Sequence, residues 1–368
     1  MMRLPPFQLD RYLDGREHAR YGLGGSVCHT RTVADVLQLE QNAESRLLAL
    51  PLDYQPYAGH LPLRETLAGT YDKAIAVENV LVTSGVQEGV FALMNTLLEP
   101  GDHIVVQAPC YQLLRQVAET IGCTVTDWYM DENGQWDFEW LADQVDAKTK
   151  LIVINTPHNP TGEHFTRVEF DRVFEIANQY GSYVLSDEVY RYLEHDASLL
   201  LPAGAELYPR AISVSDMSKT YGVPGTRVGW MVCQDTGLLN AVLQFKDYMT
   251  ITGTAVGQFI AELVIRHRDV IIEENRAMLR EHAAYLAHFA ERHADRLTIR
   301  VPSASTTTFP RFHDGTDVRV LAETAFNAHE LLLVPGDVFG DYGDHIRLGF
   351  GAVDFRASLD AFGRLLEA

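Results

Sequence analysis

Ser215-Asp216-Met217-Ser218-Lys219-Thr220-Tyr221-Gly222-Val223-Pro224-Gly225-Thr226-Arg227-Val228-Gly229-Trp230 is the stretch on which the reading of this chain turns. The 368 residues include only five lysines, at 73, 148, 150, 219 and 246. Four have polar or charged neighbours, the company of a solvated lysine. Lys219 instead follows the apolar run Ala211-Ile212-Ser213-Val214 and precedes a glycine-rich loop. An ammonium placed there loses hydration, so its pKa falls and the neutral amine becomes a nucleophile able to form a Schiff base with an aldehyde. Arg227, eight residues on, is a permanent cation suited to a phosphate. The plainer alternative is a strand-end lysine snorkelling to water.

Upstream of this stretch, short Val- and Ile-rich runs recur at Val80–Thr83, His103–Gln107, Thr124–Trp128, Lys150–Asn155, Ser182–Ser186, Ala211–Val214 and Arg227–Val232. Helical patterns separate several of them. After Ser84-Gly85, the positions Val86, Val90, Leu93, Met94, Leu97 and Leu98 follow a 3.6 period until Glu-Pro-Gly at 99–101 stops it. Alternation of this kind predicts an α/β domain with a mostly parallel sheet covered on both faces. From about Gln258 to His288 the pattern reads as one continuous helix bridging two domains. Beyond it, strands (Leu297–Val301, Leu331–Val334, His345–Phe350) mix with helices (Val318–Ala328, Phe355–Leu366) in a smaller α+β domain. The expected division is an N-terminal segment 1–45, packing with the small domain or over the active site, a large domain 46–265, and a small domain 266–368 that includes the interdomain helix.

A formal charge of −20 argues against nucleic acid as a partner, since phosphate backbones demand clustered cations. No apolar run approaches the roughly 20 residues of a membrane helix, so no membrane is expected. Met1-Met2-Arg3-Leu4-Pro5-Pro6-Phe7 has no long apolar run of a secretory signal. Cys28, Cys110, Cys123 and Cys233 are scattered, which speaks against a metal or disulfide framework and for a reducing cytoplasm.

Several polar residues stand where ligands bind in doubly wound sheets, at predicted strand ends. Ser84-Gly85-Val86-Gln87 is a strand–helix turn whose free N–H groups suit a phosphate, or an ordinary turn. Asp187 ends a strand ahead of Glu188-Val189-Tyr190, where it either pairs with a protonated pyridine nitrogen or caps a helix. Asn155-Thr156-Pro157-His158-Asn159-Pro160-Thr161-Gly162 is an irregular loop that either aims Asn159 at a phenolate and a carboxylate or merely turns. Tyr111 offers a face for ring stacking or fills a core. Arg347, between Ile346 and Leu348, suits bidentate grip of a carboxylate or a structural ion pair. In this order the set calls for a phosphorylated pyridine aldehyde and an amino acid.

From about Tyr54 to Arg347 the chain resembles the fold-type-I pyridoxal-phosphate enzymes of the class I/II aminotransferase family. Asn159-Pro160-Thr161-Gly162 and Ser218-Lys219 followed by Arg227 carry the resemblance. It implies a seven-stranded, mostly parallel large-domain sheet and pyridoxal 5'-phosphate as cofactor. It implies that Lys219 holds the cofactor as a Schiff base and shuttles the proton, and that Asp187 partners the pyridinium. Tyr190 and Asn159 would donate to the ring oxygen and Tyr111 would stack. Gly85, Val86, Ser218 and Arg227, with Gln87 nearby, would surround the phosphate. Arg347, with Asn159 and Gly25, would hold the substrate. The segment from Tyr54 to Glu65 is similar to the one that crosses a homodimer to the other subunit's phosphate. The implied activity is transfer between an amino acid and a keto acid. Asp216, Gly24–Thr30 and Ser305–Arg311 depart from the family pattern, the last two where members line the substrate pocket. A subgroup similar to capreomycidine synthase also departs at the N-terminal position, so an eliminating lyase or cyclase on an arginine-type amino acid is the second expectation. A non-catalytic sensor is the third. His29, His60, Tyr57, Asp216 and Arg311 are the candidates for the side-chain pocket.

Overall fold

The computed structural model describes residues 4–71, 75–131 and 133–367; Met1–Arg3 and Lys73 lie outside them. Seven strands form one sheet: β1 Val80–Thr83, β2 His103–Ala108, β3 Thr124–Tyr129, β4 Thr149–Asn155, β5 Tyr183–Asp187, β6 Ala211–Asp216 and β7 Gly229–Cys233. Their order is β1-β7-β6-β5-β4-β2-β3. All run parallel except β7, which is antiparallel to both neighbours. Strand periodicity divides the core. Ile104, Val106, Leu151 and Val153 enter one apolar cluster, while the intervening Val105, Ile152 and Ile154 enter another on the opposite face. That two-sided burial explains why these strands read as continuous apolar runs rather than alternating ones.

A short helix, α1 Gln8–Leu13, precedes the sheet, and α2 Gly85–Leu97 follows β1. The predicted continuous helix is two, Ala255–Arg266 and Arg268–Arg292. His267 leaves the helical region (φ −109°, ψ 20°). Its Nε2 lies 3.2 Å from Glu40 Oε2, and Arg266 pairs with the same carboxylate at 2.9 Å. A tertiary pull on residues that are not themselves helix breakers leaves no trace in the periodicity.

The predicted strand Leu331–Val334 is also divided. Leu331–Leu332 pairs with Tyr21–Gly22, and Val334–Pro335 pairs with the Ile346–Gly349 strand. Lys246, expected to be solvated, is 1% exposed; its ammonium donates to Ile251 O (2.8 Å) and Tyr57 O (3.4 Å). Its charged neighbour Asp247 suggested a surface, but the distant backbone at Tyr57 and the nearby turn at Ile251 cover it. The four cysteines are free thiols. Among the described residues no helix is long and apolar enough to cross a membrane, and no cluster of His, Cys, Asp or Glu has metal-binding geometry.

Candidate active site

The carboxyl ends of β1, β4, β5 and β6 converge on a cavity of about 360 Å³, which Lys219, Asp187, Asn159, Tyr190, Arg227 and Arg347 all line. Gly25, Val86, Gln87, Tyr111 and Ser218 line it as well. Gly85 does not itself line the cavity, but it lies against Arg227, which does. The φ of Gly85 is +79°, and a Cβ added there would sit 2.6 Å from Arg227 Nη2. Only glycine accommodates both the left-handed backbone and the close guanidinium. Thr83 Oγ1 donates to Gly85 O (2.8 Å) and the Ser84 N–H donates to Glu88 Oε2 (2.6 Å), so the turn into α2 is held in shape.

Asn155, at the end of β4, organises the next loop. Its Oδ1 accepts the Asn159 N–H (2.7 Å), and its Nδ2 donates to Asp187 O (2.9 Å). Asp187 is 6% exposed, and its Oδ1 accepts the Val189 N–H at 3.3 Å. Burial pushes its carboxyl up to about 7; the Val189 N–H opposes the rise and the nearby Asp216 charge adds to it. Asp216 faces the cavity rather than pointing away. Its Oδ1 accepts the Ser218 N–H at 2.8 Å.

Lys219 is half-buried as a residue, but its amine lies deep and donates to Ser26 Oγ at 3.0 Å. Burial lowers its pKa first, with the Arg347 and Arg227 charges acting in the same direction and Asp216 and Asp187 opposing. Arg347 is buried. Its Nη1 donates to Asn159 Oδ1 (3.3 Å) and its Nη2 to Gly24 O (2.7 Å), which leaves Nε with no partner. Tyr111 donates its hydroxyl to Gln87 Oε1 (3.2 Å) and packs its ring against Phe7 at 4.9 Å.

The altered segment at Gly24–Thr30 contributes Gly24, Gly25, Ser26 and Val27 to this cavity. The other altered segment does not. Thr308, Phe309 and Arg311 line a second cavity with Tyr342 and His345. Of the side-chain-pocket candidates, only Asp216 lines the lysine cavity; His29, His60, Tyr57 and Arg311 do not. Tyr54 is 81% exposed and also lies outside it. Ser26, Asn155 and Asp10 are the site residues that sequence reading passed over. Ser26 lies inside the altered segment, and Asn155 was the polar end of a strand.

The residues present fit a phosphorylated pyridine aldehyde. Tyr190 Oη is buried with no hydrogen-bond partner; Ser26 is close enough to favour the phenolate slightly but makes no bond of good geometry. A donor left unmet inside a cavity calls for an acceptor there. The Gly85–Arg227 cradle has the shape and charge for a phosphate. Asp187, its carboxyl pushed up to about 7 by burial, would ionise beside a cationic ring nitrogen.

These features define a fold-type-I pyridoxal-phosphate protein, and the comparisons with known proteins agree. Residues 23–355 match the family model for aminotransferase class I and II. The chain is 31% identical to capreomycidine synthase of Streptomyces vinaceus over 273 residues, covering 74% of this chain and 69% of the relative. A crystal structure of a PLP-dependent aminotransferase from Streptococcus suis superposes with a TM-score of 0.93 at 28% identity, covering 100% of this chain and 98% of that one. The PLP-dependent cyclase OrfR superposes with a TM-score of 0.91 at 27% identity, covering 99% and 98%. The chain belongs to the class I and II aminotransferase family, and pyridoxal 5'-phosphate is its cofactor.

Proposed function

We propose that this chain is an aminotransferase acting on an α-amino acid, with Lys219 as the catalytic amine. The observation that carries the reading is the meeting, in one cavity, of a desolvated lysine, a strand-end carboxylate and a buried arginine bonded to an asparagine. Bound pyridoxal phosphate supplies an aldehyde that condenses with amines and a ring that draws electrons from the substrate Cα. Arg227 and the N–H groups at Gly85 and Val86 hold the phosphate, beside Ser218 and Gln87. Asp187 keeps the ring nitrogen protonated, and Tyr190 and Asn159 donate to the ring oxygen. Tyr111 packs on the ring face. Arg347, with Asn159 and Gly25, orients the substrate by its α-carboxylate. The Lys219 amine takes the Cα proton and returns it, and the lowering of its pKa by burial favours the neutral, basic form.

A second reading, a lyase or cyclase using the same Cα proton removal to expel a side-chain group, is favoured by Asp216 in the cavity and by the relatives named as a synthase and a cyclase. Incubating holoenzyme with an amino acid and a keto acid separates the two. Exchange of the keto acid supports transfer. Ammonia or a cyclic product without exchange supports elimination.

We also propose a homodimer. Leu52, Tyr54, Tyr57, Tyr248 and Ile251 leave large apolar surface exposed around one region, with Leu52 and Tyr54 beside residues 252–256. Tyr54, outside its own chain's cavity, would then reach the partner subunit's phosphate. Four free thiols support a reducing compartment such as the cytoplasm.

A further inference from the structure

The cavity carries one charge that the proposed reading leaves unassigned. Its cations are Lys219, Arg227 and Arg347; its carboxylates are Asp187, Asp216 and Asp10. The reading gives Arg227 a phosphate, Arg347 an α-carboxylate and Asp187 a ring nitrogen, while Asp216 accepts the Ser218 N–H. Asp10 alone has no assignment. Its carboxylate makes no hydrogen bond or ion pair among the described residues; it is exposed on α1 and lines the cavity, where its charge acts on Arg347 and Tyr111.

Helix α1 is not a loose flap. At its start the Gln8 N–H donates to Gln112 Oε1 (2.8 Å) and Gln112 Nε2 donates to Pro6 O (3.1 Å). At its end Tyr12 Oη donates to Leu333 O (2.9 Å), and Arg16 pairs with Glu323 at 2.9 Å. The helix is tied to the start of the Leu113–Ile121 helix on one side and to residues beside the small strands on the other, so Asp10 is held in place. Around it, Leu9, Leu13, Val27 and Leu113 give the cavity aliphatic walls. An aliphatic channel with a carboxylate suits a methylene stem tipped by a cation.

Resting on the aminotransferase-type reading of this site, we propose that Asp10 is a specificity-determining residue. It receives the distal ammonium or guanidinium of an amino acid with an aliphatic stem, and it repels side-chain carboxylates. A fixed charge on the cavity wall discriminates between such side chains by attraction and repulsion.

The test is binding to holoenzyme, read from the cofactor's visible absorption, of α-methyl-lysine, α-methylnorleucine and α-methylglutamate. These share the amino-acid end but carry a cationic, neutral or anionic tip. None has a Cα proton, so affinity is read whether or not the enzyme transaminates. The wild type is expected to bind the cationic analogue about 10- to 100-fold more tightly than the neutral one, the span of a charge-assisted hydrogen bond. Asp10→Asn should collapse that ratio toward one, and Asp10→Lys should invert it in favour of α-methylglutamate. Asp10 has no partner in the chain, so either variant should keep the fold, checked by unchanged cofactor absorption. A wild-type ratio near one, a ratio unmoved by Asp10→Asn, or binding of none of the analogues overturns the proposal. Failure of the parent reading has a separate signature: analogues bind with the predicted ratios, but no donor with a Cα proton exchanges with a keto acid.

Discussion

Asp187→Asn should make the apoprotein more stable and the holoenzyme less stable, with the first effect growing as pH rises. Burial moves the Asp187 carboxyl from 3.8 to about 7 in the folded chain. Between these values the folded state holds a proton that the unfolded state has released, so stability falls as pH rises through that window. Once the carboxylate is ionised in both states, the penalty reaches about 4 kcal/mol, and asparagine does not incur it. The asparagine side chain keeps an oxygen able to accept the Val189 N–H, so the substitution changes charge more than contact. Lys219 slopes the other way, because its lowered pKa makes unfolding take up protons, and the difference between variant and wild type largely cancels that slope. The assay is urea unfolding of apoprotein from pH 4.5 to 8, followed by tryptophan fluorescence. All four tryptophans, at 128, 136, 140 and 230, lie in the part of the chain that builds the sheet around Asp187. The stability gained by Asp187→Asn should rise across the window and level off above pH 7. With cofactor bound, the sign should reverse, since asparagine cannot pair with a cationic ring nitrogen. A difference independent of pH, or a less stable Asp187→Asn apoprotein at pH 8, would refute the account of a strained carboxylate held for the cofactor.

Lys219→Ala should abolish turnover and the protonation-dependent visible band, and leave a cofactor that dialysis removes; full activity in this variant would contradict the proposed role. Arg347→Lys keeps a charge but loses the planar fork, so kcat/KM for amino acids should fall about 30- to 100-fold while cofactor absorption stays unchanged; steady-state kinetics beside a cofactor titration separates the two. At Gly229 an added Cβ would lie 2.5 Å from Gly85 C and 2.7 Å from Val86 N, both backbone atoms. Gly229→Ala should therefore destabilise the protein by about 1–3 kcal/mol and weaken cofactor binding, read by unfolding and by titration of the apoprotein.

The sheet and the cofactor-facing residues were legible in the sequence for a common physical reason. Strands buried on both faces must be apolar along their whole length, so a polar residue at the end of such a run stands out. Asp187 and the Asp216–Lys219 segment are both of this kind, and each lies at a strand's carboxyl end. Gly85 was signalled by the strand–helix turn at Ser84–Gln87, and Arg227 by its place eight residues after Lys219. What stayed hidden depends on contacts between distant segments. The break at His267 is held by Glu40, more than two hundred residues earlier. Lys246 is buried by the backbone of Tyr57 and Ile251, and nothing beside it in sequence signals that. Asp10 belongs to no motif that sets it apart in the sequence, and it is exposed on its own helix. Only the ties from Gln8 and Tyr12 to opposite sides of the cavity place it on the cavity wall. The division follows function as well as physics. Groups that would handle the cofactor sit on the rigid sheet, where strand ends fix their positions. Groups that would sort side chains sit on peripheral segments, α1 and Gly24–Val27, which can change without disturbing the sheet. Substitutions at Asp10 should therefore shift which amino acid is accepted while leaving the cofactor's absorption intact, and those at Asp187 or Gly229 should do the reverse.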